Sequence, residues 1–335
     1  MKRIFTLLFA VLTATTIMAQ MHGPMKFVGA SNMTVSTMSN DNPSDTILFA
    51  MNGMESGNIT LPAMKGMQTI PSFTISGAKF TLGENHVVTF ADQTFSTKVK
   101  VDGEEKNITG KSLSGTYNMA DNSLSLTVVF QYGKMPFPMT YTVKGYYVKA
   151  VSNPITVTVG GQFTYNNDNV TYELRRYKDG GTDKLDVTVP SYSLTNTVMG
   201  DLTLGTYTVK GLVYDEAQGG YYRDYKNDGL SFHFTAVNGG KTTMDKDYEF
   251  AKEKANNILV KYEGSNVSSI VNTFQMGAMP FGIVSVFSAP ATSIEGVNAN
   301  ATAPADGRTY NLAGQRVDNN YKGIVIVNGK KYLRK

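Results

Sequence analysis

Two eight-residue blocks, Phe130-Gln-Tyr-Gly-Lys-Met-Pro-Phe137 and Phe274-Gln-Met-Gly-Ala-Met-Pro-Phe281, differ at only two places. A second pair, Thr69-Ile-Pro-Ser-Phe-Thr-Ile75 and Thr188-Val-Pro-Ser-Tyr-Ser-Leu194, precedes them in the same order, and Val101-Asp-Gly103 between them returns as Val237-Asn-Gly239. Three landmarks in one order make the chain a duplication, each half one folding unit. The offsets grow along the chain from 119 through 136 to 144, so the second copy carries about 17 extra residues before the middle landmark and about 8 after it. Both insertions are expected in loops, which absorb extra residues at least cost. Residues 216–223 and 224–229 fit that place, being rich in the Gly, Asn and Asp of turns.

Residues 1–19 read as an export signal: Lys2 and Arg3 precede an apolar run from Ile4 to Leu12, and Met18-Ala19 offers a small residue for cleavage before Gln20. No later apolar stretch is long enough for a membrane-spanning helix. The absence of cysteine removes disulfides, thiolate metal sites and a lipid-anchored cysteine. With 41% hydrophobic residues, two cores of ordinary domain size can be held by burial alone. The net charge of +4 falls to +2 without Lys2 and Arg3, which gives no footing for a nucleic-acid partner. The remaining charge is uneven: residues 306–335 hold seven basic side chains against Asp306 and Asp318, while residues 20–305 hold 22 basic and 25 acidic groups. A basic tail is a solvated end or a docking element.

Short runs of Thr, Val, Tyr and Phe, broken by Gly and Asn pairs, read as strands almost throughout. In Ser123 to Tyr132, Leu124, Leu126, Val128, Phe130 and Tyr132 alternate with mostly polar neighbours, so one face is expected inward. Asp245 to Asn257 has the Glu, Lys and Ala of a helix, but its partner in the first copy, Ser112 to Asn122, has no helical pattern. A strand is therefore expected there, with Tyr248 matching Tyr117 and a turn at Asn256-Asn257. Each unit of roughly 130 residues is expected to close into a barrel, because duplicated open sheets leave long exposed edges.

The N-terminal signal, the Pro-Ser-Phe and Pro-Ser-Tyr strands and above all the Phe-Gln-x-Gly-x-Met-Pro-Phe blocks resemble the calycin-like domain of exported bacterial proteins, a lipocalin-related β-barrel family of poorly defined function. The resemblance covers residues 22–150 and, less closely, 151–289. It implies an all-β fold of two tandem antiparallel calycin-like β-barrels, about eight strands each, with a short β-rich C-terminal tail. Lipocalins carry a Gly-x-Trp near the first strand, and this chain has no Trp, so the barrel is implied but not the lipocalin ligand site.

An eight-stranded barrel is filled by its own side chains or keeps room for one small ligand. At offset 144 the inward set Leu126, Val128, Phe130 and Tyr132 becomes Ile270, Asn272, Phe274 and Met276, which points the Asn272 amide into an interior. A buried amide needs partners, and a neighbour, a water or a polar ligand atom supplies them. Met21, Met25, Met33, Met38, Met51, Met54, Met64 and Met67 all precede the first landmark, either filling core gaps or forming a pliable wall around an apolar guest. Met135-Pro-Phe137 and Met279-Pro-Phe281 are placed at barrel ends, where proline stops a strand and the turn is a plug or a lid. Tyr221, Tyr222 and Tyr225, in the expected inserted loops, either present aromatic contacts to a partner or pack across the barrel's own end.

Cleavage after Ala19 exposes Gln20-Met21-His22, whose amine and third-place His22 can wrap Cu(II) or Ni(II) in a square-planar nitrogen set unless Gln20 cyclises. His86 and His233 have no matched partner in the other copy and read as structural, and residues 224–229 lack the third-place oxygen and closing Glu of a calcium loop. No cofactor is implied. Only apolar, Pro, Gly and Ser positions recur in both copies, and Ser72 and Ser191 have no histidine in equivalent register, so no nucleophile with its base, paired carboxylates or phosphate loop is indicated.

Residues 290–305, rich in Ala, Asn, Thr and Pro, read as a linker. Residues 306–335 form strand-like runs that resemble the last motifs of type IX secretion C-terminal sorting domains, which implies passage to the outer-membrane surface or the medium; the segment is shorter than the usual domain, and periplasmic residence stays open. The expected function is an exported, non-enzymatic protein holding a small apolar molecule in a calycin-like barrel. The rival is a cell-envelope or surface module with filled barrels that binds protein or glycan through loops of the second unit. Hollow or filled interiors separate the two.

Overall fold

The period-two alternation of apolar and polar residues is realised as strands. The computed structural model describes residues 23–65, 69–83, 86–277, 279–288, 309–311, 316–318, 322–327 and 330–334. Among these, every regular element is a strand. The export signal, Met21, His22, Met67 and the linker 290–305 lie outside the described residues.

The first barrel is built from β1 (Met25–Val35), β2 (Met38–Met51), β3 (Ser56–Leu61), β4 (Phe73–Lys79), β5 (Thr81–Leu82), β6 (Val87–Val101), β7 (Glu104–Asn118), β8 (Ser123–Tyr132) and β9 (Met139–Val159). Antiparallel ladders run from β1 to β4 in order, from β6 to β9 in order, and from β9 back to β1, with the short β5 on the edge of β6. Between β4 and β6 the Gln93 amide takes over from the ladder: it accepts from the Lys79 N–H at 2.8 Å and donates to the Lys79 carbonyl at 2.7 Å. On β8 the five alternating apolar residues are all buried, while Ser125, Thr127 and Gln131 point outward.

The chain enters the second barrel without a turn, because β9 is continuous through 21 residues. Its first half pairs with β1 and β8 and its second half with β10 and β20, so the expected boundary between residues 150 and 151 falls inside a strand. Where β1 crosses β9, Gly29 lies opposite Gly145, and a Cβ on Gly29 would collide with the Lys144 carbonyl oxygen. The second unit comprises β10 (Phe163–Asp179), β11 (Thr182–Val189), β12 (Tyr192–Thr197), β13 (Gly200–Leu204), β14 (Tyr207–Asp215), β15 (Gly220–Asp224), β16 (Ser231–Asn238), β17 (Lys241–Glu249), β18 (Asn257–Glu263), β19 (Asn266–Phe274) and β20 (Ile283–Ser288). Ladders run β9-β10-β11-β14-β15-β18-β19-β20 and return to β9, closing an eight-stranded antiparallel barrel. The remaining strands form a side sheet, β12-β13-β16-β17.

Three local expectations need correction. The stretch that holds the insert before the middle landmark is not a loop: it carries β13, β14 and β15, and the latter two are barrel staves because Tyr207, Val209, Leu212 and Tyr221 give them a buried face. The strand expected over 245–257 is real but ends at Glu249, so Tyr248 pairs with Phe232 on β16 and not with the strand before the second octapeptide. Tyr117 lies opposite Leu124 on β8, a place taken in the second barrel by Tyr262, opposite Val267 on β19. The break between β17 and β18 is held by buried Asn256, which donates to the Ala251 carbonyl at 2.7 Å and accepts from the Gln275 N–H at 2.9 Å. The middle landmark also slips by one residue: Asp102 and Gly103 take positive φ in the first copy, but Gly239 and Gly240 form the corresponding turn, with a register shift at Ala236/Val237 absorbing the difference.

Beyond the barrels, β21 (Thr309–Asn311), β22 (Gly323–Val327) and β23 (Lys330–Arg334) form a separate three-stranded antiparallel sheet, the β-rich tail expected from the sequence.

Candidate ligand site at the mouth of the second barrel

Asn272 faces the interior of the second barrel, as the repeat predicts, and is 0% exposed. Its amide nitrogen donates to the Tyr207 hydroxyl at 2.6 Å and its oxygen accepts from the Tyr225 hydroxyl at 2.8 Å. Tyr207, on inserted β14, and Tyr225, just past β15, are thus the neighbours that satisfy the buried amide. Ser285 lies directly opposite Asn272 on β20. Its hydroxyl and those of Tyr172 and Tyr192 are buried beside one another, none within hydrogen-bond geometry of a partner among the described residues. Burial pushes the Tyr172 phenol up to about 12 and those of Tyr192 and Tyr207 well above the ordinary value, so all stay protonated at neutral pH. Phe232, Phe250 and Phe274 pack around Tyr207 with ring centroids 5.0 to 6.4 Å away, and the centre of this barrel is occupied by its own side chains.

The first barrel places its polar group elsewhere. Buried Asp45 accepts from the Ser31 hydroxyl, from Tyr141 at 2.9 Å and from the Asn42 amide. Of the methionines, Met25, Met33 and Met64 are core residues, Met51 packs against the core, and Met38 and Met54 are exposed. Gap-filling and exposure thus account for the described members of the methionine run.

The octapeptide is a repeated turn. In each copy the Gln side chain, Gln131 or Gln275, donates to the carbonyl of the Met four residues on, at 2.6 and 2.7 Å. Met135 and Met279 are half-buried against their cores, whereas Phe137 and Phe281 are 55% and 49% exposed and project outward. Phe281 lies over Gly160, in the β9–β10 turn. Of each Met-Pro-Phe turn, the methionine thus rests against the core and the phenylalanine does not.

Hairpin tips of both barrels converge at the opposite end of the second barrel, around a cleft of about 640 Å³. Leu174 on β10 and Leu185 on β11, both core residues, lie at its base; Tyr147, Tyr214, Tyr221 and Tyr262 line it, with Arg176, Asp183 and Lys149 among its polar groups. Strand register brings them together: Tyr214 is the cross-strand partner of Tyr221, and Arg176 of Leu185. Tyr214 and Tyr221 meet edge to face at 5.7 Å, as do Tyr221 and Tyr262 at 6.0 Å. The Arg176 guanidinium sits 5.5 Å over the Tyr221 ring and pairs with Asp183 at 3.1 Å. The Lys149 ammonium donates to the Ser265 carbonyl at 3.0 Å.

Tyr221, expected in an inserted loop, lies on β15 and is 6% exposed, with Tyr222 half-buried beside it and Tyr225 1% exposed. Of the three, Tyr221 reaches the mouth. Sequence reasoning passed over Tyr147, Tyr214, Tyr262, Arg176 and Asp183, which share no motif. The one available signal was the pair Tyr214 and Tyr221 flanking the Asp215-Glu-Ala-Gln-Gly-Gly220 turn of the insert.

Residues 26–146 match the family model described as the calycin-like β-barrel domain. The first barrel is a calycin-like domain. The calycin-like match ends inside β9, the strand that the two units share, and the second unit lies beyond it. A solved structure from Bacteroides fragilis NCTC 9343, of a protein provisionally assigned to the outer membrane, is 16% identical and aligns over 78% of this chain and 94% of its own, with a TM-score of 0.25. No curated protein matches the chain.

Elsewhere, His233 on β16 is held between Asp245 and Asp247 at 2.9 and 2.8 Å, and the Asp247 hydrogen bond in particular raises its pKa. Asp224 and Asp228, in the segment compared with a calcium loop, are ion-paired with Lys226 and Arg223. Among the described residues no group of three or more His, Asp or Glu is arranged to hold a metal, and no helix is long and apolar enough to cross a membrane. Ser72 donates to the Leu61 carbonyl at 2.7 Å, a backbone-capping role.

Proposed function

We propose that the protein is an exported, non-enzymatic binding protein of two calycin-like units, residues 22–150 and 151–289, whose ligand seats at the mouth of the second barrel. The observation that carries this is the 640 Å³ cleft, with core leucines below and four tyrosines around it, the composition of a small-molecule site. It supports a small ligand held by the barrel's end in preference to one enclosed at its centre, where Tyr172, Tyr207, Phe232 and Phe274 are packed. Binding without turnover fits a lining in which Asp183 is the one carboxylate and is engaged by Arg176. Export rests on Lys2-Arg3 and the apolar run after them. The outward-facing Ser125, Thr127 and Gln131 of β8 suit an aqueous surface rather than lipid.

The test is native mass spectrometry of the protein recovered from its own envelope, set beside the denatured mass. A small adduct lost on denaturation, and missing from Tyr214→Ala and Arg176→Ala, is the expected result. An adduct that persists in both variants would place the ligand elsewhere. A reporter fused to residues 290–335 tests the tail: retention in the periplasm of a host with type IX secretion refutes sorting.

The rival reading, a surface module recognising protein or glycan, draws on Tyr214, whose ring is 53% exposed at the rim.

A further inference from the structure

We infer that the mouth of the second barrel takes an uncharged, hydroxyl-rich ring, that is, a sugar residue of a glycan; this rests on the mouth being the ligand site. Three properties of the lining select that chemistry. Tyr214 stands at 85° to Tyr221, and Tyr221 at 74° to Tyr262, so the rings form a corner and not a parallel slot for a flat aromatic guest. One face of Tyr221 is already covered by Arg176, which leaves the exposed Tyr214 as the platform. A sugar ring presents one C–H face suited to such a platform and an edge of hydroxyls that both donate and accept.

The second property is the polar pair beside that platform. Arg176 and Asp183 stand 3.1 Å apart. They offer a planar fork of donors and a carboxylate acceptor in one place, the complement of adjacent hydroxyls. An alkyl chain seated here would strip water from both charged groups and return no hydrogen bond.

Charge supplies the third property. An anion meets Asp183 and a cation meets Arg176 and Lys149, so neither sign is welcomed across the whole mouth. A neutral ligand that hydrogen-bonds to both signs suffers no such conflict.

The experiment uses the full mature chain, titrated with a panel of neutral oligosaccharides and, separately, with the uncharged apolar dye N-phenyl-1-naphthylamine. The expected result is saturable binding of an oligosaccharide, weakened about tenfold or more by Tyr214→Ala and by Asp183→Asn and retained by Tyr214→Phe. Both substituted side chains are solvent-accessible, so a melting temperature close to that of the parent shows that the variants fold. If the dye binds and is lost in Tyr214→Ala while no saccharide binds or displaces it, the sugar assignment fails and the mouth remains the site. If neither probe binds, or saccharide binding survives both substitutions, the mouth itself is overturned.

Discussion

Asn272 shows how far one residue can be read in advance. Its inward direction followed from the repeat, since position 128 in the first copy is a buried valine; its partners did not, because Tyr207 and Tyr225 lie on or beside strands that the first copy lacks. Asn272→Leu takes the amide from two buried phenols whose hydroxyls keep only each other, 3.4 Å apart, and is expected to cost about 1–3 kcal/mol in urea unfolding, the penalty of about one unsatisfied buried group. Adding Tyr207→Phe and Tyr225→Phe removes the orphaned hydroxyls, and the triple variant is expected to regain most of that loss. A triple variant no more stable than Asn272→Leu alone would show that the network is not the source of the cost. The buried tyrosines also set an alkaline limit. Tyr117 and Tyr172 are pushed up to about 12, mainly by burial, while an unfolded tyrosine ionises near 10. Above pH 10 the unfolded chain releases protons that the folded chain retains, so stability present at lower pH drains away as the pH rises from 10 towards 12. Ultraviolet difference titration should show these phenols ionising together with unfolding; independent ionisation near 10 in a folded protein would contradict it.

Among the elements, the octapeptide turn is the part most visible in the sequence, and its purpose is structural. Gln131 and Gln275 make the same bond to a Met carbonyl in two barrels. Gln131→Ala and Gln275→Ala are each expected to destabilise by about 1 kcal/mol, and the double variant by about the sum, since the sites share no partner. A cost from Gln131→Ala alone, in chemical unfolding, would break the equivalence of the turns. Gly29 is a different case, because its requirement comes from a strand more than a hundred residues away. Gly29→Ala drives a Cβ into the Lys144 carbonyl and is expected to destabilise by about 1–3 kcal/mol or more. A melting temperature equal to the parent's would mean that β1 and β9 separate there at no cost.

For the whole molecule, the decisive element is β9, which serves both barrels. Lys26 also bonds Glu173 at 2.8 Å, and Arg175 reaches the Val28 carbonyl at 3.1 Å, so the first barrel's opening strand is tied to the second barrel. Calorimetry is expected to show one cooperative transition for residues 23–288. Ala150→Pro, in the stretch of β9 that pairs with β10 alone, removes an N–H from the connecting strand and is expected to split that transition in two. Two transitions in the unsubstituted protein would mean that the shared strand does not couple the barrels.

From the sequence alone came the duplication, the all-β class and the inward faces of β8 and β19, because strand period and repeat spacing are local properties that survive without a partner. The residues that form the mouth were beyond its reach. Tyr147, Arg176, Asp183, Tyr214 and Tyr262 are scattered over more than a hundred positions, and they meet only because ladder register and barrel closure bring β9, β10, β11, β14, β15 and β18 round one opening. The tertiary structure likewise decided that the stretch holding the 17-residue insert becomes barrel wall. An inserted segment with an alternating apolar face is buried wherever a ring has room for it, and that room is a property of the closed sheet, not of the segment.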